Sequence, residues 1–135
     1  MHPFRAAVEA QDMDAAVALL SEDVVFRSPV VFRPYHGRDT VAAILHAVSR
    51  VFEDFRYVRE IGAPDARDHA LVFHARVGER EIEGSDFLHL DEDGSIDELT
   101  VMVRPLTAAH ALADAMKAQL AAAQGSAGVV TTPSP

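Results

Sequence analysis

The stretch Glu83–Pro105, EGSDFLHLDEDGSIDELTVMVRP, decides the fold. Leu88 and Leu90 alternate with polar neighbours on its first arm, and Leu99, Val101 and Val103 do the same on its second. That is the period-two pattern of half-buried strands. Between them Asp91-Glu92-Asp93-Gly94 supplies turn formers, with a glycine free to take positive φ. Asp86 interrupts the first arm. Its parity places it with Leu88 and Leu90 on the face destined for burial, where a carboxylate is either costly scaffolding or the working group of a pocket.

Further strands flank this hairpin. Ala70–Val77 reads as a strand, its Leu71, Phe73, Ala75 and Val77 parity the more apolar, and turns at Gly78-Glu79 into the strand Glu81–Leu90, and the last strand, Asp97–Arg104, stops at Pro105. Phe55–Ile61 is a strand candidate closed by Gly62-Ala63-Pro64-Asp65. Near the start of the chain, Phe4, Ala7 and Val8 fall at helical spacing on a short helix to about Ala10, with Pro3 in its first turn. Asp12 caps a second helix, Met13–Leu20, after which Ser21-Glu22-Asp23 breaks the pattern and Val24–Ser28 reads as a strand stopped by Pro29. Val30–Gly37 reads as a loop. Asp39 or Thr40 caps a third helix to about Phe52 with the stripe Val41, Ile44, Leu45, Val48 and Phe52, and Thr107 caps a last helix to about Ala122. The order predicts an α+β domain over residues 1–123, with helices closing over one face of a curved, mostly antiparallel sheet and a cavity between the two. Residues 124–135 read as a flexible Gly/Ser/Thr/Pro tail.

Composition removes several function classes. The chain has 135 residues and a net charge of −9, and Lys117 is its only lysine, so it lacks the basic footprint of a nucleic-acid binder. There is no cysteine, which excludes disulfides and thiolate metal sites. No stretch has the length of a membrane span, and the acidic N-terminus is no secretory signal, so a cytoplasmic protein is expected. The seven histidines lack the spacing of a metal motif, and DEDGSIDE brings its glycine too early for a calcium loop. Neither a metal nor a cofactor is expected.

Three segments carry a resemblance: AQDMDAAVALLSEDVVFRSP, HGRDTVAAIL and SDFLHLDEDGSIDEL. In order and spacing they resemble the nuclear-transport-factor-2-like superfamily, the cone-shaped α+β fold of ketosteroid isomerases and SnoaL-like polyketide cyclases. The resemblance covers roughly Phe4–Arg104 and implies helices over the concave face of a conical sheet, with the C-terminal helix as an addition. Carried across residue by residue, the isomerase's oxyanion-hole tyrosine falls on Phe4, its general-base aspartate on Ser28, and its second oxyanion-hole group, an aspartic acid, on Asp86. Without the base, ketosteroid isomerisation is not expected. The resemblance does imply that Asp86 points into the cone. Where the family usually has glycine between the first two helices, this chain has Gln11; a left-handed backbone there would cost about 1 kcal/mol.

The candidate site is therefore Asp86 as acid/base, with a ligand pocket of Phe4, Val8, Phe26, Ser28, Tyr35, Ile44, His74, Ile82, Leu88, Leu99, Val101 and Val103. Asp86 could equally be satisfied by a backbone N–H, Arg104 or Arg27. His74 has the parity of the outer face, and a one-residue slip in register would bring it inside as a base. Tyr35 and His36 sit on a loop near the expected mouth. Two functions remain open. The first is binding of, or cyclase-, isomerase- or hydrolase-type chemistry on, a small hydrophobic molecule. The second is a dimerisation or protein-interaction domain with a filled cavity, using Phe87, Thr100, Met102 and the last helix. A homodimer is expected under both.

Overall fold

The computed structural model describes residues 1–127, with side chains to Ala122. Its elements are α1 (Pro3–Glu9), α2 (Met13–Ala18), β1 (Leu20–Arg27), β2 (Tyr35–His36), α3 (Arg38–Val51), β3 (Glu53–Ile61), β4 (Asp68–Val77), β5 (Arg80–Leu90), β6 (Ile96–Arg104) and α4 (Leu106–Ala127). The six strands form one sheet in the order β2-β1-β6-β5-β4-β3. All pairs are antiparallel except β1 with β6. The β5–β6 hairpin sits at the centre, with Asp86 opposite Val101 and Leu88 opposite Leu99.

Alternation decides the sheet's two faces. On β4, Leu71, Phe73, Ala75 and Val77 are buried, and on β5 Ile82, Asp86 and Leu88 are buried on the same face. The helices cover that inner face: Phe4 and Ala7 from α1, Ala16 from α2, Val41 and Leu45 from α3, and Ala108 and Leu112 from α4 join one core with Leu20, Val24, Phe26, Ile96 and Leu99. Burial of so many large apolar side chains is the main favourable contribution to folding.

Several element ends differ from the sequence reading. Helix α2 stops at Ala18, and Leu20 begins β1, where it pairs with Ile96 of β6. Ser21, Glu22 and Asp23 therefore lie within the strand, across an irregularity between Leu20 and Val25. Pairing with β6 outweighs the helical stripe that Leu20 completes in sequence. Helix α3 is capped by Gly37 at φ 95°, with Asp39 and Thr40 inside it, because only glycine takes that backbone readily. The Pro105 carbonyl accepts from Ala109 N at 3.0 Å, so α4 begins one residue before its expected cap, Thr107. The alanine-rich continuation carries α4 to Ala127, past the expected boundary at 123; the remainder of the expected tail lies outside the described residues. No described helix is long and apolar enough to cross a membrane.

Candidate functional site

A cavity of about 530 Å³ lies between the inner face of the sheet and the helices. Phe4 and Val8 of α1, Ile44 and Val48 of α3, and Leu112 and Met116 of α4 form its helical side. Phe26, Leu99 and Val101 contribute from β1 and β6, and Phe55, Tyr57, Phe73 and Asp86 from β3, β4 and β5. Ser28, Pro29 and Val30, just past β1, also line it.

The polar centre is a pair of side chains. Tyr57 Oη donates to Asp86 Oδ2 at 2.6 Å, both groups being buried. Burial disfavours the charged carboxylate and pushes the Asp86 carboxyl up from 3.8 to about 6, while the hydrogen bond from Tyr57 acts in the opposite sense. Burial and the neighbouring carboxylate push the Tyr57 hydroxyl far above its ordinary range, so it stays a donor. Asp86 Oδ1 has no hydrogen-bond partner among the described residues and is left to the cavity. Asp86 can thus accept a hydrogen bond as a carboxylate or give a proton as an acid, within the pH range where many enzymes work.

Aromatic rings form the wall beside this pair. Phe55 stacks on Phe73 with centroids 4.9 Å apart, Tyr57 stands edge-on to Phe55 at 4.9 Å, and Phe52 completes the group at 5.4 Å from Phe73. Gly84 makes room for it, since a Cβ there would collide with Phe73 Cζ. The mouth holds unusual backbone. Gln11 (φ 58°) and Asp54 (φ 53°) are the only non-glycine residues with positive φ among those described, and both line the cavity. Such conformations persist where the surrounding structure over-determines them.

Seven of the pocket residues named from sequence line the cavity together with Asp86: Phe4, Val8, Phe26, Ser28, Ile44, Leu99 and Val101. The other five lie outside the lining. Ile82 and Leu88 have the right parity but are sealed inside the packed core on either side of Asp86. Val103 packs against the core two residues beyond the lining position Val101. Tyr35 lies on the edge strand β2, its ring 6.3 Å from that of Phe26. His74 is on the outer face, with Nε2 2.8 Å from Glu83 Oε2, because the β4 register carries no slip at that residue. The suggested partners of Asp86 are engaged elsewhere: Arg104 with Glu83 at 3.2 Å and Arg27 with Glu98 at 2.5 Å. Ser28 Oγ accepts from Val30 N at 3.1 Å and turns the chain at the mouth.

Tyr57 escaped the sequence reading, as did Phe52, Phe55, Phe73, Leu112 and Met116 as lining residues. The available signal was the shared parity of Phe55 and Tyr57 on β3, which places them beside Phe73 once β3 pairs with β4. On the outer face the fold also assembles His89, Asp97 and Glu98, with ligand atoms within 4.8 Å of one another. These are tied up as ion pairs, His89 with Asp97 at 2.6 Å and Glu98 with Arg27.

Residues 2–99 match the family model of the SnoaL-like domain. The chain belongs to the SnoaL-like domain family. Among solved structures it is similar to a steroid delta-isomerase from Pseudomonas aeruginosa, with 42% identity over 89% of this chain and 88% of that one and a TM-score of 0.84. It is likewise similar to an uncharacterized bacterial protein with a cystatin-like fold from Silicibacter pomeroyi, with 39% identity over 93% and 92% of the two chains and a TM-score of 0.84. An epoxide hydrolase/cyclase-like enzyme of pyran ring formation in the polyether salinomycin shares the fold at 18% identity, over 78% and 87% of the chains, with a TM-score of 0.62. No curated protein sequence matches the chain. The SnoaL-like domain thus has isomerase- and cyclase-like neighbours, and it carries Tyr57 and Asp86 in its cavity.

Proposed function

We propose that this SnoaL-like domain binds a small hydrophobic molecule in the cavity, with Asp86 and Tyr57 fixing the ligand's polar end. The observation that carries this reading is the buried, hydrogen-bonded Tyr57–Asp86 pair set among aromatic and aliphatic side chains in a cavity of about 530 Å³, a size suited to a drug-sized ligand. If the domain turns its ligand over, Asp86 is the group for proton transfer, because its carboxyl, held near 6, can both take and return a proton. Cyclase-, isomerase- and hydrolase-type reactions are within its reach. Ketosteroid isomerisation is not our reading, despite the similarity to the Pseudomonas protein described as a steroid delta-isomerase, since Phe4 and Ser28 stand where the resemblance puts that reaction's tyrosine and its base.

The test is a thermal-shift screen of steroid-, terpenoid- and polyketide-like compounds, followed by the same screen on Asp86→Asn. A stabilising compound whose effect weakens in Asp86→Asn is the expected result. Absence of any stabilising compound would favour an interaction domain instead. Conversion of a 5-ene to a 4-ene ketosteroid at enzymatic rates would overturn the exclusion of isomerase activity.

We further propose a homodimer built on the outer face of the sheet. Phe87 and Met102 are 42% and 59% exposed there, opposite Thr100 and Ser85 in the β5–β6 register. Val58 and Ile61 on β3 are 49% and 51% exposed. Helix α4 lies on its own chain's core through Ala108 and Leu112, so the sheet carries the contact without it.

A further inference from the structure

Charge is unevenly distributed around the cavity. Its lining includes three carboxylates, those of Asp86, Glu9 and Asp54, and no lysine, arginine or histidine. Arg5, Arg56 and Arg76 stand just outside, and each is engaged, Arg56 by the Asp54 carbonyl at 2.9 Å. Arg5 lies 6.0 Å from the Tyr57 ring centre and is paired with Glu9 and Glu60 at 3.4 Å, while Arg76 holds Asp54 at 2.8 Å. An acid reaching the buried end of this cavity would meet Asp86, the one lining carboxylate with no basic partner among the described residues, which is strongly unfavourable. A cation would meet the reverse. Asp86 Oδ1 has no partner among the described residues, and Phe52, Phe55, Tyr57 and Phe73 line the same cavity. Carboxylate and aromatic faces together are the two features that hold an organic ammonium out of water.

Taking the cavity as a binding site, as proposed above, we infer that its ligand is a hydrophobic amine. The protonated nitrogen donates to Asp86 Oδ1 and rests against the aromatic wall, while the apolar body lies along Val8, Ile44 and Val48. The chain's net charge of −9 favours approach of a cation. Burial raises the Asp86 carboxyl, and an ammonium beside it would act in the opposite sense.

Naphthylethylamine, naphthylethanol and naphthylacetate share one bicyclic body and differ in charge. In titration calorimetry at about pH 8, where Asp86 is ionised, the amine is expected to bind at least about ten-fold more tightly than the alcohol, and the acetate not to bind. At about pH 5 the amine's advantage shrinks, because Asp86 then carries its proton. Asp86→Asn abolishes the advantage at both pH values while leaving alcohol binding in place, which separates Asp86 from Glu9 and Asp54. Tyr57→Phe, which keeps the ring, retains it. An alcohol as tight as the amine, an acetate that binds comparably, or an advantage that survives Asp86→Asn would overturn the amine assignment and leave the cavity's role in binding intact. Failure of all three probes to bind would overturn both.

Discussion

Asp86 is the residue at which stability and function pull apart. In the folded protein its carboxyl holds a proton up to about pH 6, whereas exposed in the unfolded chain it loses the proton near 3.8. Between those values the folded state binds more protons, so stability falls as pH rises through the window. Below it the penalty is absent. Above it the penalty is complete, and moving from 3.8 to about 6 corresponds to on the order of 3 kcal/mol. Asp86→Asn removes the titration, so its stability relative to the parent is expected to increase from about pH 4 to about pH 6 and then level off. Urea denaturation of both proteins across that range measures the difference; parallel curves would mean that Asp86 is not the buried acid described. Gln11 offers a second case. Its φ of 58° is strained for any residue with a Cβ, and Gln11→Gly is expected to stabilise the fold by about 0.5 to 1 kcal/mol, after the entropic loss that glycine brings. A midpoint in urea that stays put or moves down would show that contacts of the glutamine side chain outweigh the strain.

At the scale of elements, strands that alternate were legible in the sequence and junctions were not. The β5–β6 hairpin, the buried parity of β4 and the inward direction of Asp86 all follow from period two, which one buried face enforces. The pairing of Leu20 with Ile96 was invisible because its determinant lies over seventy residues away in the chain, while the local pattern favoured a helix. Tyr57 was missed for a related reason: no local feature of β3 shows that Phe73 and Asp86 will stand next to it. Parity also over-assigned the pocket, since Ile82 and Leu88 face inward under helices that leave them no cavity. Gly84 shows how closely one strand serves another. Phe73 of β4 occupies the space where a Cβ of β5 would stand, and the Met102 carbonyl of β6 closes the other side at 2.8 Å. Gly84→Ala is expected to destabilise the protein by about 1 to 3 kcal/mol and to push the Phe73 ring toward the cavity. Denaturation together with binding of a cavity probe measures both effects. Unchanged stability would mean that the aromatic wall yields more readily than its packing suggests.

For the molecule as a whole, the outer face of the sheet poses the remaining question. A sheet with helices on one side leaves its other side to water unless another surface covers it. Here that side carries Phe87, Met102, Val58 and Ile61 exposed between charged ends, His74-Glu83-Arg104 at one and His89-Asp97-Glu98-Arg27 at the other. An isologous pairing of two such faces would bring each apolar centre onto its copy and leave the ion pairs at the rim, the anatomy of a stable interface. The expected outcome is a dimer by sedimentation at micromolar concentration. Phe87→Arg is the discriminating variant. Each chain carries a net charge of −9, so an added acid would favour dissociation by general repulsion, whereas arginine lowers that repulsion and acts only by placing a charge in the buried centre. Dissociation of Phe87→Arg with an unchanged circular dichroism spectrum would locate the interface on this face. A dimer that tolerates the substitution would move the contact elsewhere, and a monomeric parent protein would remove it.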